Sequence, residues 1–268
     1  MKITLPNDEL PDWRARWDAI YAFLDAWRGE PFRPAPANQR IAEIEFTLDA
    51  TLPPSMKEWV SFATAHDGIK DCFIWRDSLN VEKLDEHDAV SVLRQGEGDY
   101  YWAVQTAHLA LPDPPVGTYF LDHDFHDPAD PKRKHFVADG DCAQHVAHFA
   151  FHYLLSYFRG EGGGFLVDEA SPAFDRPALA RDLGAPSQFG SVQAFATDEV
   201  LVWRTLPGLA VLGGNVHVEL RAEKEVKQLP VSVQDLLEDA HIFKGDIARP
   251  DIYERRKRGR PWWRRPFG

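Results

Sequence analysis

The chain has 268 residues, with 42 acidic against 30 basic side chains, 44% hydrophobic and 12% aromatic residues. That length buries a substantial core, and the composition is too apolar for a disordered chain. No window reaches ~18 uninterrupted apolar residues, which excludes a spanning helix. The opening stretch, Met1 to Glu9, turns acidic before an apolar segment forms, so no secretory signal is expected. Cys72 and Cys142 make no disulfide framework and no C-x-x-C pair, as expected of core thiols in a reducing cytoplasm. Whether the two ever pair stays open.

In chain order, the first element follows Pro11-Asp12. Trp13, Trp17, Ile20, Leu24 and Trp27 form one helical stripe, which Asp12 can cap and Gly29 can close. Pro31, Pro34 and Pro36 cannot continue that helix. Ile41, Ile44, Phe46 and Leu48 open a second ordered segment, read as a short helix turning into a strand. Leu52-Pro53-Pro54 then leads into a helix in which Ser55 and Glu58 have capping-box spacing. Met56, Trp59, Val60 and Ala63 form its buried stripe, and Gly68 ends it. Strands are predicted near Asp71–Arg76, Ala89–Leu93, Tyr100–Thr106 and Gly117–Asp122. A long helix is predicted from about Asp141 to Arg159, with Gly160 as its stop. His145, His148, His152, Ser156 and Arg159 would share a polar stripe facing solvent, with Val146, Phe149, Ala150, Tyr153, Leu154 and Tyr157 on the broad apolar face.

Glu161-Gly162-Gly163-Gly164 reads as a flexible joint and a candidate subdomain boundary. Beyond it, strands are predicted at Ala194–Phe195, Val200–Arg204, Leu209–Leu212 and Val216–Leu220. Gly213-Gly214-Asn215 would turn the last pair, and Ser232 would cap a short final helix holding Leu236 and Leu237. Charge is uneven along the chain. The last fifteen residues carry a net +6 and the preceding 253 carry −18. Such a body repels phosphate, so nucleic-acid binding by the body is not expected. The tail interleaves Trp262, Trp263 and Phe267 with arginines. It reads as a mobile solubilising segment, open to contact with an anionic surface.

Signs of chemistry are few. Asp122-His123-Asp124-Phe125-His126-Asp127 is the densest group of ligand-type side chains, but flanking Pro128 and Pro131 mark a solvated loop rather than a metal site. His145, His148 and His152, on the polar stripe, read as surface histidines. There is no G-x-S-x-G elbow and no P-loop lysine, so no catalytic residue, cofactor or metal is assigned.

Leu52 to Trp59, continuing through His66-Asp67-Gly68, resembles the leucine-proline, helix, glycine opening of the SUKH superfamily. That superfamily includes the fungal cell-wall-synthesis regulator and many bacterial toxin-immunity proteins. Tyr100-Tyr101-Trp102-Ala103-Val104, leading to Pro112-Asp113-Pro114-Pro115-Val116, resembles the family's aromatic strand and the proline turn after it. The helix His145–Phe158 falls where the family places its closing helix. The resemblance covers residues 38 to 160, with a weaker continuation near 200–220. It departs at His66-Asp67-Gly68, where an asparagine-glycine type turn is expected, and it includes neither the N-terminal tryptophan helix nor the basic tail.

The resemblance implies an α+β fold, with a mixed, mostly antiparallel sheet flanked by helices in a single domain. Residues 1–37 would be an N-terminal addition, 38–245 the domain with its joint at 160–164, and 246–268 the basic tail. It implies a non-catalytic, protein-binding chain without cofactor, acting as a cytoplasmic immunity protein against a cognate toxin. The alternative is a regulatory scaffold for cell-wall, envelope or stress functions. From the residues themselves, the expected contact surface is acidic and includes Asp122, Asp124 and Asp127, with Trp75 or Tyr100 as the aromatic anchor.

Overall fold

The computed structural model describes residues 3–29, 31–65, 81–84, 87–94, 100–122, 128, 135–157, 164–167, 174, 177–206, 216–221, 226–238 and 240–242. The fold is α+β. Three helices come first: α1 (Trp13–Arg28), α2 (Asn38–Leu48) and α3 (Pro54–Ala65). The strands β1 (Lys83–Leu84), β2 (Ala89–Arg94), β3 (Tyr100–Gln105), β4 (Val116–Leu121) and β5 (Phe136–Ala143) then form an antiparallel meander in sequence order. After α4 (Val146–Tyr157) comes a second sheet, of β6 (Gly164–Val167), β7 (Ser187–Phe189), β8 (Val192–Ala196), β9 (Val200–Thr205), β10 (Val216–Leu220) and β11 (Ala240–Ile242). Its order is β11-β6-β10-β9-β8-β7, and α5 (Pro177–Leu183) and α6 (Val231–Glu238) accompany it. Every pairing among the described strands is antiparallel, and the strands divide between two sheets.

The local signals explain α1. Asp12 accepts a hydrogen bond from the Ala15 N–H at 2.9 Å, and Gly29 closes the helix at φ 78°. Trp17, Ile20, Leu24 and Trp27 are buried as the stripe predicts, with Tyr21 and Phe23 widening the face. The segment 38–48 is helical throughout. Ile41, Ile44 and Leu48 point inward at i, i+3 and i+7, while Phe46, off that spacing, is 89% exposed. The capping box expected in α3 does not form, because both of its side chains serve α1. Ser55 Oγ accepts from Trp17 Nε1 at 2.8 Å, and Glu58 accepts from the Tyr21 hydroxyl at 2.6 Å. Burial and this hydrogen bond to Glu58 push the Tyr21 phenol up.

The helix predicted from Asp141 begins later, at Val146, because β5 occupies its first residues. Asp113 supplies the start: its Oδ1 accepts from the Ala147 N–H at 3.2 Å. All of Val146 to Leu155 is buried, since α4 lies between the two sheets. On one side Phe149 and Tyr153 meet Trp59 of α3 and Trp102 of β3, with ring centroids 5.6–6.3 Å apart. On the other, Phe151 meets Phe189 at 5.5 Å and His152 meets Trp203 at 6.3 Å. The far face of the second sheet, with Phe195, Val202 and Val218, packs on Leu179 of α5 and on Val233 and Leu236 of α6. Ser232 does not cap α6; its own N–H donates to Asp182 at 3.4 Å.

The N-terminal residues form a strap along β7. The Asp8 N–H donates to the Gln188 carbonyl at 3.0 Å, Ser187 Oγ donates to the Pro6 carbonyl at 2.6 Å, and the Gly190 N–H donates to Asp8 Oδ1 at 2.7 Å. Ile3 is buried in the core beneath it. The expected strands at Asp71–Arg76 and Leu209–Leu212, residues 160–163 of the expected joint at 160–164, the hairpin turn at 213–215 and the tail from 246 lie outside the described residues, while Gly164 of that joint opens β6.

Candidate functional site

Two arrangements could carry function: one at the margin of the first sheet, the other between α4 and the second sheet. At the margin, Tyr100 opens β3 opposite Phe120 of β4, their ring centroids 6.4 Å apart, and Phe120 in turn faces Val137 of β5. Tyr100 is 38% exposed, whereas Tyr101 and Trp102 after it are buried. Asp122 continues the β4 ladder by one residue, its N–H donating to the His135 carbonyl at 2.8 Å, and is therefore half-buried rather than fully exposed. Sheet register thus brings Tyr100 and Asp122 to the same end of the sheet. Trp75, Asp124 and Asp127 lie outside the described residues, as do His123 and His126.

The sequence reading missed what lies beside this end. Ala138, Asp139, Gly140 and Asp141 of β5 are exposed along the sheet's margin. Pairing shifts register between Val116 and Gly117 and between Thr118 and Tyr119, so the ladder is bulged, and Gly140 takes φ 108°. The only sequence signal was Phe136-Val137 before an Asp-Gly-Asp run, which reads as a loop because one side of the strand faces water.

The histidine stripe of α4 corrects an expectation. His148 and His152 are buried, and only His145 is part exposed, because the second sheet covers the face expected to be solvated. His152 Nε2 forms a 3.1 Å hydrogen bond with Thr205 Oγ1 of β9. Burial lowers the His152 ring from 6.5 to about 4. His148 packs against Phe189 at 4.4 Å and beneath Gly190, and neither ring nitrogen has a hydrogen-bond partner. Burial, then the neighbouring charges of His145 and Arg16, lower it to about 3. Its 3.5 Å approach to Asp8 is therefore a contact between a neutral ring and a carboxylate, not an ion pair at neutral pH. Beside it, Arg16 reaches Asp113 at 3.0 Å, and His145 Nδ1 meets the Asp113 carbonyl at 2.9 Å.

This seam joins layers. His152 and Thr205 are a base and a hydroxyl in contact, but both are buried and the ring is a weak base. Among the described residues no three His, Cys, Asp or Glu side chains converge to hold a metal ion. Cys142 is buried with its thiol donating to the Val116 carbonyl at 3.3 Å, and burial raises its pKa to about 11, far from a reactive thiolate. No described helix is long and apolar enough to cross a membrane. Compared with protein-family models, with curated proteins and with solved structures, the chain matches none.

Proposed function

We propose that this chain is a non-catalytic protein-binding module, an immunity protein that neutralises a basic toxin in the cytoplasm. The observation that carries the reading is the margin of the first sheet. There the half-exposed Tyr100 and Asp122 share one end of the sheet, and the exposed Asp139 and Asp141 follow further along the edge strand β5, on a body of net charge −18. An acidic body steers a cationic protein towards itself, and an aromatic anchor adds the affinity that charge alone does not. The sequence resemblance to the SUKH superfamily supports the same reading.

The test is protection of cells from the toxin encoded next to this gene, followed by binding kinetics at two salt concentrations. Association slows as salt rises while dissociation changes little, and replacing Asp122, Asp124 and Asp127 together by Asn slows association further. A salt-insensitive association rate removes the acidic surface from the reading. Failure to protect against any neighbouring toxin removes the immunity role.

A further inference from the structure

Among the described strands, the edges of the two sheets differ in what they leave free. In the second sheet β7 is covered by the strap through Pro6 and Asp8, and β11 is three residues long. In the first sheet β1 has two residues, too few to template a partner strand. β5 has eight, and its exposed run from Ala138 to Asp141 is flanked by the half-buried Phe136 and Val137. A strand edge carries a row of backbone donors and acceptors that another extended chain can satisfy.

We propose that the outer edge of β5 takes up an extended, lysine- or arginine-rich segment of a partner protein as a sixth strand of the first sheet. The choice of occupant follows from charge. Two copies of this edge would set Asp139 and Asp141 against their own images, and like charges across a strand pair are destabilising. A second copy is thus disfavoured, whereas a cationic strand places its basic side chains beside those carboxylates. The register shifts bend the edge and shorten the stretch open to a flat apolar strand. Phe136, which packs edge-on against Tyr101 at 5.0 Å, offers an apolar neighbour for one residue of the incoming strand. A Cβ at Gly140 would meet nothing within 4 Å, so the sheet face beside the edge is uncrowded there. The proposal rests on the protein-binding reading and specifies its geometry.

The experiment uses the full chain and three synthetic peptides the length of β5. One alternates lysine with valine, one is the same peptide with alternate backbone nitrogens methylated, and one carries glutamate for lysine. Binding is followed by amide chemical shifts and hydrogen exchange. The lysine peptide is expected to shift and protect the amides of residues 136–141. The methylated peptide binds at least about tenfold more weakly, the equivalent of one net backbone hydrogen bond. The glutamate peptide does not bind. The pair D139K with D141K weakens the lysine peptide by about tenfold or more without changing Tm. Equal binding by the methylated peptide means charge alone and overturns strand addition, as does protection that maps away from β5. Peptide binding without cellular protection leaves the edge standing and removes the immunity role. Protection that survives loss of peptide binding does the reverse.

Discussion

Trp59 joins three elements at one residue. Its ring lies against Phe62 of its own helix and against Phe149 and Tyr153 of α4, and its Nε1 donates to the Val92 carbonyl of β2 at 2.9 Å. Trp59→Ala is expected to cost about 3–5 kcal/mol, read from urea denaturation; a loss under ~1 kcal/mol would show that α3 is not a core element. Gly190 is constrained in another way. It takes φ 59°, and a Cβ there would stand 2.7 Å from the His148 ring. Gly190→Ala combines left-handed strain with overpacking, about 2–4 kcal/mol together. The two buried histidines give stability a pH dependence whose sign is fixed. Above pH 6.5 both are neutral whether the chain is folded or not. Below it the unfolded chain takes up protons that the folded chain refuses until about pH 4 for His152 and about pH 3 for His148. Stability therefore falls as pH drops from 6.5 towards 5, by up to about 1.4 kcal/mol per pH unit for each histidine. His152→Gln keeps a hydrogen-bonding group beside Thr205 and should remove half of that slope; an unchanged slope would mean that His152 is charged in the fold.

Elements were legible in the sequence wherever one chemical signal acted locally. α1 was readable end to end because its cap, its stripe and its closing glycine all lie within the helix. The strands β2, β3 and β4 were found because β-branched and aromatic runs stand between turn residues. α4 was found with the wrong start and the wrong outside. Its histidines look like a solvated face, and nothing near them announces that β7, β8 and β9 will cover it. The start was wrong because the residue that begins α4, Asp113, lies 34 positions before Ala147. Helical spacing says nothing of so remote a partner. The candidate surface was half legible: Tyr100 and Asp122 could be named, but β5 beside them carries no alternating pattern. Asp113 also bears a testable load. It is a buried carboxylate held by Arg16 and by the first turn of α4, so Asp113→Ala leaves a mostly buried guanidinium alone and an amide unpaired. The expected loss is about 3–5 kcal/mol. Asp113→Asn retains an acceptor for the helix and should cost less. Equal losses from the two would place the whole effect in the ion pair.

In the whole molecule, α4 belongs equally to both sheets, so the glycine run before β6 does not separate two independent cores. One hydrophobic cluster runs from Ile3 and Trp17 through Trp59 and Phe149 to Phe189 and Trp203. Circular dichroism and tryptophan fluorescence should therefore report one coincident unfolding transition in urea. A chain ending at residue 163 bares Phe151 and two histidines and is expected to be insoluble or molten rather than a stable smaller domain. Two separated transitions, or a well-folded fragment, would show that the sheets are autonomous. The strap carries a further consequence, for the order in which the protein is made. Pro6 and Asp8 leave the ribosome some 180 residues ahead of their partners Ser187, Gln188 and Gly190. Until the second sheet has been synthesised, one side of α4 has nothing to lie against, and the strap residues have nowhere to bind. The nascent polypeptide thus carries an uncovered apolar helix while the residues between α4 and β9 are made, when exposed surface of this kind invites aggregation or chaperone capture. Closing the strap joins Pro6 and Asp8 to residues 187–190, so its formation marks a chain that has been made at least as far as β7.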